Sequence, residues 1–321
     1  WTGFPWQDDA VAEYFADDAA GRMALGIRGV SGNGSAMLLT PPVAFSTRHV
    51  RITLDYHTED GVRNFHLKFL PTTTRYLTAY SVRFLPSTGG QWRTVTFDAV
   101  LVGTGGQFEF HNAEVGPRSR ARLGAFVVRE GQPEPPLRTD GLRSVDRFDL
   151  SGLKPFRANF PSDPDAAGWR DRWTDEVLGH CWRKESAVEF AVEATDRGPA
   201  IGVTNLNDVL SSQILFNLGR ARAGLVPGKR YHARAEYRTR GDGFGQLTVR
   251  NPKDGDYPTI SAKLLDLTNG EWKSSFVTFV APATGGTDLI IENLTVGAGN
   301  TVFVRALEVF EAGPESADDG R

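Results

Sequence analysis

The chain has 321 residues, 40% hydrophobic and 23% charged, a composition typical of about two globular domains and not of a disordered or collagen-like chain. Its formal net charge is −3, from 36 basic and 39 acidic residues, so it lacks the basic excess of nucleic-acid-binding proteins. Cys181 is the single cysteine, which excludes an intrachain disulfide and a zinc site built from several cysteines.

The predicted elements are mostly short strands separated by Gly, Pro and Asn turns. Val50–His57 and Tyr231–Arg238 alternate strictly between apolar and polar residues. A period of two over eight residues is typical of a half-buried strand. Shorter strands are predicted at Gln107–Phe110 and Leu289–Ile291.

Helical periodicity is scarce in the sequence. The best candidate helices are Asp8–Asp17 and Asp171–Leu178. Many short strands with regular turn signals favour an all-β fold of the sandwich or jelly-roll type, with little helix.

The second half of the chain repeats the first. Residues 111–130 and 292–311 share six identities in twenty positions at an offset of 181. Gly90–Arg93 recurs as Gly270–Lys273 at an offset of 180. A repeat of this length, with a slowly drifting offset, indicates two whole domains and not a solenoid unit.

The repeat predicts the domain boundaries. We expect the first β-sandwich over residues 1–130 and the second over residues 156–311. The Pro-rich run Gly131–Pro136 predicts a stiff connector, which we extend over residues 131–155. Residues 312–321 are rich in Gly, Pro, Ser and Asp and predict a flexible tail.

Several short motifs of the second repeat resemble a known family. They are Asn159-Phe160 with Gly168-Trp169, the turn Leu225–Tyr231, the segment Gly270–Pro282 and the closing strand Val302–Val309. Over residues 156–311 they resemble the carbohydrate-binding modules of the family 4/9 type. The first repeat resembles them more faintly, because Ser46-Thr47-Arg48 replaces the Pro-Gly-Lys turn.

The resemblance implies two tandem antiparallel β-sandwiches, each with a concave sheet that forms a groove for a sugar chain. Such modules are non-catalytic and tether a larger protein to its polysaccharide. Aromatic rings stack on the apolar faces of the sugars, while polar side chains bond their hydroxyls. We therefore expect a polysaccharide or oligosaccharide ligand, with no bound nucleic acid.

The resemblance also implies an extracellular or cell-surface location and attachment to further domains. The chain begins at Trp1 without a signal-peptide pattern, so we expect it to be part of a longer protein. No run of 18 apolar residues is present, so we expect no membrane span.

The sequence departs from the family at its structural calcium site. The resemblance places an aspartate ligand in the last strand, where this chain has Arg305 in one repeat and Gly124 in the other. Neither residue supplies the oxygen that a hard cation requires, so we expect no calcium and no other cofactor.

One group of candidate ligand-binding residues consists of polar side chains on strands. Two of the alternating strands contribute Arg234, Glu236, Arg238 and His57. The alternative for their polar faces is solvated surface or arginine–carboxylate pairing. Gln213 and Asn217 share one strand face with Leu215 and are candidates for bonding sugar hydroxyls if that face is concave.

A second group consists of aromatic residues in irregular segments, where rings at the rim of a sandwich could stack on sugars. The alternative is a lid that closes the end of the core. The candidates are Trp169, Trp173, Trp182 and Tyr257 in the second repeat, and Tyr76 and Tyr80 in the first. Trp92 and Trp272 match between the repeats and are predicted to pack within the fold.

Two other functions stay open at the level of sequence. The repeats could be a structural or protein-interaction pair of a cell-surface or receptor protein, or a jelly-roll enzyme that degrades polysaccharides. Glycoside hydrolysis needs two carboxylates flanking one bond, and the spacing of Glu59, Asp60, Asp254 and Asp256 singles out no pair. No catalytic residue and no metal ligand is therefore predicted.

Overall fold

The structure is a computed structural model. It describes residues 1–5, 11–19, 22–31, 36–59, 62, 65–72, 80–112, 120–159, 177–181, 186–207, 212–218, 225–251, 259–283 and 286–313. The chain divides into two compact units, Trp1–Glu134 and Pro135–Pro314. Regular structure in the described residues is almost entirely β-strand.

The first unit contains eleven strands in its described ranges. They are β1 Thr2–Pro5, β2 Val11–Ala19, β3 Arg22–Ser31, β4 Ala36–Leu39, β5 Val43–Ala44, β6 His49–Thr58, β7 Phe65–Pro71, β8 Tyr80–Phe84, β9 Arg93–Val100, β10 Gly105–Asn112 and β11 Arg120–Glu130. One sheet, the β10 sheet, has the order β1-β4-β10-β7-β8, with β5 also beside β10. The other, the β6 sheet, has the order β2-β3-β11-β6-β9.

The second unit contains twelve strands in its described ranges. They are β12 Ser144–Arg147, β13 Phe156–Asn159, β14 Val177–Cys181, β15 Ala187–Thr195, β16 Gly198–Asn205, β17 Ser212–Asn217, β18 Arg230–Arg240, β19 Gly245–Arg250, β20 Thr259–Leu265, β21 Lys273–Val280, β22 Asp288–Asn293 and β23 Thr301–Glu311. The β18 sheet has the order β13-β15-β16-β23-β18-β21, with β12 also beside β23. The β22 sheet has the order β14-β17-β22-β19-β20.

Each core lies between the two sheets of its unit. In the first unit Ile52, Leu54 and Tyr56 of β6 share the core with Phe69 and Phe108, all five fully buried. The strict alternation of β6 places every second side chain inward, which is how a half-buried strand stabilises a sandwich. The sequence prediction of an all-β pair of antiparallel sandwiches is confirmed.

The second core has the same construction. Tyr231, Ala233 and Ala235 of β18 are fully buried, as are Leu289 and Ile291 of β22. Burying apolar area stabilises by about 25 cal/mol per Å². Because the single cysteine forms no intrachain disulfide, this packing carries the stability of the unit.

The helix prediction for Asp8–Asp17 is wrong over its described part. Residues 11–19 form β2, which pairs with β3 from Val11–Ser31 to Ala19–Arg22. Tyr14 packs against the core of the first unit. A short apolar pattern fits both helix and strand. Residues 11–19 form a strand because they pair with the edge of β3, which would otherwise leave its backbone groups unpaired. Of the second candidate, residues 177 and 178 lie in β14, and residues 171–176 lie outside the described residues.

The predicted connector contains structured residues of the second unit. β12 pairs with β23, and Phe148, Leu150 and Leu153 are buried in the second core. These three apolar side chains therefore act as part of the second sandwich.

The two units share a bulge at equivalent positions, which supports the repeat. In the first unit Leu123 pairs with Tyr56 and Phe126 with Leu54, so two residues lie opposite Asp55. In the second unit Val304 pairs with Tyr237 and Ala306 with Glu236, which leaves Arg305 as the extra residue. A bulge re-aims the side chain it carries and increases the local twist.

No helix in the described ranges is long and apolar enough to cross a membrane.

Candidate functional site

The polar face of β18 forms ion pairs with neighbouring strands. Arg234 contacts Glu308 of β23, and Glu236 accepts hydrogen bonds from Arg305 at 2.9 Å and from Arg197 at 3.1 Å. The sequence candidates on this strand are therefore already paired with opposite charges. We call the outward side of this sheet the β18 face.

Arginines and aromatic rings alternate on the β18 face. The guanidinium of Arg305 lies 4.3 Å from the ring centroid of Trp272, and that of Arg238 lies 4.9 Å from the centroids of both Trp272 and Phe303. Arg240 lies 4.8 Å from Phe303. Glu193 accepts hydrogen bonds from Arg238 at 2.7 Å and from Arg240 at 3.2 Å. The stack links β15, β18 and β23 with the turn before β21, because each cation has both a ring and a carboxylate partner.

His57 lies on the equivalent face of the first unit. Its ring is 5.5 Å from that of Trp92, and Arg22 lies 5.6 Å from the same indole. Asp55 accepts a hydrogen bond from Thr94 and pairs with Arg22 at 3.6 Å. His57 therefore lies in a packed cluster like that of the β18 face.

A cavity of about 270 Å³ lies in the second unit, beside this network. Its lining includes Arg147, Arg197 and Arg305. Each of these arginines is engaged with a carboxylate, the last with Asp196 as well as Glu236. The cations of the cavity are thus already neutralised.

The outward side of the β22 sheet is different. Leu289 and Ile291 of β22 point into the core, so Asp288, Ile290 and Glu292 lie on the opposite side, yet all three are buried. The same side of β19 carries Gln246, Thr248 and Arg250, which register places beside Glu292, Ile290 and Asp288. We call these six residues the β22 face.

Glu292 is the most unusual group of the β22 face. Its residue is 8% exposed, and its carboxylate accepts two long hydrogen bonds, at 3.3 Å from Thr248 and 3.4 Å from Arg250. Burial raises the pKa of Glu292, while the charge of Arg250 and the bond from Thr248 lower it. A carboxylate has about four acceptor positions. Glu292 therefore keeps acceptor capacity that the described residues do not use.

Gln246 lies directly opposite Glu292 and is also buried. Its side-chain amide forms no hydrogen bond with the described residues. An amide offers two donors and one acceptor, so Glu292 and Gln246 together present both kinds of group on one row.

Gln213 and Asn217 belong to the same sheet. They lie on β17, where register places Gln213 opposite Glu292 and Asn217 opposite Asp288. The backbone thus brings these two sequence candidates to the β22 sheet, away from Arg234, Glu236 and Arg238. Their side chains lie outside the description.

The aromatic candidates lie outside the described residues. These are Trp169, Trp173, Trp182, Tyr257 and Tyr76. Tyr80 begins β8, and its side chain also lies outside the description.

The β10 sheet carries the corresponding row of the first unit, because β10 and β7 occupy the places of β22 and β19. Register places His111 opposite His66 and Glu109 opposite Lys68, as it places Glu292 opposite Gln246 and Ile290 opposite Thr248. We call His66, Lys68, Glu109 and His111 the β10 face.

The four groups of the β10 face are in mutual contact. Nδ1 of His111 lies 2.7 Å from Oε1 of Glu109 and 3.1 Å from Nζ of Lys68. The rings of His66 and His111 are 4.8 Å apart. Burial is the main cause of the lowered pKa of both histidines and of Lys68; the nearby charge of Glu109 opposes it at Lys68.

Sequence reasoning missed the β22 and β10 faces. The available signal was a charged residue inside an apolar strand, as in Leu289–Asn293 and Phe108–Asn112. The two segments align at the repeat offset.

The described residues contain no group of three or more His, Cys, Asp or Glu that could hold a metal ion. At the positions of the expected calcium ligand, Arg305 extends to Trp272 and Glu236. A Cβ at Gly124 would lie 3.1 Å from Cβ of Asp55 and 3.3 Å from the Trp92 ring, so the glycine permits a close approach there.

No protein-family model matches the chain, and no curated protein matches it. Among solved structures it is similar to the N-terminal CBM22-1–CBM22-2 tandem domain of Paenibacillus barcinonensis Xyn10C. Identity is 14% over 97% of this chain and 93% of that one, with a TM-score of 0.34.

Two further similarities are of the same kind. The CBM22-1–GH10 modules of Clostridium thermocellum xylanase 10B, complexed with xylohexaose, are 15% identical over 44% of this chain and 27% of that one, with a TM-score of 0.33. A structure described as "CBM4 structure and function" is 14% identical over 52% of this chain and 94% of that one, with a TM-score of 0.29. All three are structures of carbohydrate-binding modules, and the similarity is one of fold.

Proposed function

We propose that the chain is a non-catalytic binding protein for polysaccharides or oligosaccharides, and that the second unit binds a neutral glycan on the β22 face. The observation that carries the proposal is the buried row of Glu292 and Gln246, with hydrogen-bonding capacity that the described residues leave unused. A buried polar group that lacks partners is costly, so such a row favours a ligand that completes it.

Sugar hydroxyls suit this row chemically. Each hydroxyl is at once a donor and an acceptor, so one can donate to the Glu292 carboxylate while another accepts from the Gln246 amide. Arg250 lies at the end of the same row, where its guanidinium donates to the Glu292 carboxylate at 3.4 Å. Gln213 and Asn217, opposite Glu292 and Asp288, extend the same set in the proposal.

The proposal assigns the apolar faces of the sugars to aromatic candidates. These are Trp169, Trp173, Trp182 and Tyr257, whose rings would stack on the C–H faces of the ligand. In the first unit Tyr76 and Tyr80 have the corresponding role.

The β22 face does not favour glycoside hydrolysis. Its two carboxylates, Asp288 and Glu292, are four residues apart on one strand. Two carboxylates on one face of one strand approach a bound sugar chain from the same side, whereas a hydrolytic pair flanks the scissile bond. The proposal is accordingly a tethering role within a longer extracellular or cell-surface protein.

Affinity electrophoresis through gels containing cellulose derivatives, xylan, β-1,3-glucan, mannan or α-glucan tests this function. We expect retardation in at least one gel. Glu292→Gln removes the charged acceptor, and we expect the affinity to fall about tenfold or more. Glu308→Gln makes the same substitution on the β18 face and should retain the affinity. No retardation in any gel, or equal losses for the two variants, would contradict the proposal.

A further inference from the structure

The last strands of the two units, β11 and β23, differ in their neighbours. Each pairs near its start with one strand, β3 or β16, and along its length with another, β6 or β18. Beyond its bulge β23 has an additional neighbour, because β12 pairs with residues 308–310. Among the described residues, no strand pairs with the corresponding side of β11. We call Phe126–Glu130 the β11 edge.

The second unit shows which backbone groups face this side. Alternate residues of a strand direct their N–H and C=O groups to opposite neighbours. Leu307 accepts a hydrogen bond from the backbone N–H of Phe148, and Glu311 donates one to the carbonyl of Arg143. At the repeat offset of 181, the residues equivalent to these two begin and end the β11 edge. Its first, third and fifth residues therefore have backbone groups for which the described residues supply no partner.

Side-chain burial gives a second sign that the β11 edge lacks a cover. Leu307 and Val309 of β23 are fully buried. Their counterparts Phe126 and Val128 are only partly buried, although both pack against the core of the first unit. Between them, Val127 is 41% exposed. Exposed apolar area beside unpaired backbone groups makes such an edge a template for another strand.

The strand β12 shows what kind of segment fits an edge of this plan. Its residues Ser144–Arg147 run antiparallel to β23, and Val145 packs against the second core. Phe148 follows directly and is 5% exposed. An occupant of the β11 edge must likewise be extended, and it must direct an apolar side chain toward the partly covered core.

Arg129 adds a charge preference to the β11 edge. It is exposed and lies directly opposite Arg51 of β6, whose own ion pair is with Asp98 at 3.7 Å. Like charges directly opposite each other in a sheet repel, so an acidic residue on the free side of Arg129 would be favoured. In the second unit the equivalent place is that of Ser144, which lies opposite Phe310.

We propose that the β11 edge binds an extended polypeptide segment as an added antiparallel strand, with an apolar residue toward the core and an acidic residue opposite Arg129. The segment takes the place in the first unit that β12 has in the second. Main-chain hydrogen bonds supply the affinity of such a complex, and alternate side chains supply its selectivity. This interaction is independent of the proposed glycan binding.

The probe is a synthetic peptide with the sequence of residues 141–150 and the change Ser144→Glu, titrated into the ¹⁵N-labelled full chain. We expect one peptide to bind per chain, because β12 already covers the edge of β23. The amide signals that should shift are those of Phe126, Val128 and Glu130. The same peptide with Ser144→Lys should bind about fivefold more weakly. In the chain variant Arg129→Glu, changed at an exposed position, this preference should reverse.

Backbone methylation of the peptide provides a matched control that leaves the protein unchanged. A methyl group on the nitrogen of Phe148 removes a donor that faces the paired strand, whereas one on the nitrogen of Arg147 removes a donor that faces away. We expect the first to lower the affinity about tenfold or more and the second less than threefold.

Three results would overturn the inference. The peptide could leave all three amide signals in place at millimolar concentration, or the two methylated peptides could bind equally. The signals could also shift with protein concentration in the absence of peptide, which would assign the β11 edge to a second copy of the chain. Retardation in glycan gels is measured separately and decides only the proposed function.

Discussion

At the scale of the residue, Glu292 is a group whose surroundings lower the stability of the folded unit. It is a buried carboxylate on the outward side of a sheet, with two hydrogen bonds near the upper limit of length. Desolvation outweighs Arg250 and Thr248 and raises its pKa. A site kept ready for a ligand commonly has such a cost in the free protein.

The first prediction concerns the stability of Glu292→Gln. Because the pKa of Glu292 is raised above 4.5 in the folded unit, the ionised form destabilises that unit as pH rises past 4.5. The neutral amide avoids this, so we expect the free energy of unfolding to rise by about 1 kcal/mol at pH 7. Calorimetric unfolding at pH 4 and pH 7 measures it. A gain that is larger at pH 4 would contradict the mechanism.

The second prediction concerns His66 and His111. Burial lowers the pKa of both below 6.5. Just below pH 6.5, these histidines are therefore protonated in the unfolded chain and neutral in the folded unit. Stability is therefore retained above pH 6.5 and falls as pH decreases below it, by about 1.4 kcal/mol per pH unit for each histidine that stays neutral. Denaturant unfolding of the first unit between pH 7.5 and 5.5 tests this.

His66→Gln provides the control for that measurement. It removes one of the two titrating groups, so the dependence on pH should become shallower. A wild-type stability that is constant across the range would be inconsistent with neutral, buried histidines.

At the scale of the element, the outward faces of the two sheets of the second unit differ in how fully their polar groups are paired. The β18 face is filled by the stack of Arg305, Trp272, Arg238, Phe303 and Arg240 and by ion pairs. The β22 face has a buried row that the described residues satisfy less well. We infer that the first is structural and that the second binds.

The third prediction separates these tasks. Trp272→Ala removes a ring that contacts two guanidinium groups, and we expect it to destabilise the second unit by about 3 kcal/mol. Trp272→Phe keeps a ring and should cost less. Glycan affinity, measured on the folded variants, should stay within about twofold of wild type. A large loss of glycan affinity in Trp272→Ala, with unchanged stability, would indicate that the site lies on the β18 face.

Strands with strict alternation could be predicted almost to the residue. The predicted Val50–His57 and Tyr231–Arg238 lie inside β6 and β18, since period two with a buried face leaves one possible register. The apolar spacing of the β2 region fits both the helical period of 3.6 and the strand period of two, so the sequence predicts a helix there. Its pairing with β3 is a tertiary contact that no local pattern contains.

The candidate site was only partly predictable. Gln213 and Asn217 were named from their strand face, and the register brings them to the β22 sheet. The sequence does not single out Glu292 and Lys68. A charged residue within an apolar strand gives the same sequence pattern whether its face of the sheet is buried or exposed to solvent. Arg234 and Glu236 look like a groove floor in sequence, and their partners Glu308 and Arg305 are distant along the chain.

At the scale of the whole molecule, the chain consists of two sandwiches of one plan that differ in their polar rows. The bulge opposite Asp55 and that opposite Glu236 mark the common plan. We propose that the independent second domain begins near residue 135 and includes β12. The predicted start at residue 156 would omit part of its core.

The fourth prediction tests that boundary. A fragment of residues 156–314 lacks Phe148, Leu150 and Leu153, which are 5%, 4% and 7% exposed in the second unit. Burying each contributes about 1.5–3 kcal/mol, and the sum approaches the total stability of a typical domain. We expect residues 135–314 to fold cooperatively and residues 156–314 to be unfolded or strongly destabilised. Equal unfolding midpoints would contradict the assignment.

The central claim is that the glycan binds the β22 face, and one spectrum tests it most directly. In a ¹H–¹⁵N correlation spectrum, the side-chain amide of Gln246 and the indole N–H of Trp272 report on the β22 and β18 faces respectively. On titration with an oligosaccharide of the glycan that retards the chain most, the Gln246 signals should shift and the Trp272 signal should stay in place. A shifted Trp272 signal with an unchanged Gln246 signal would contradict the claim.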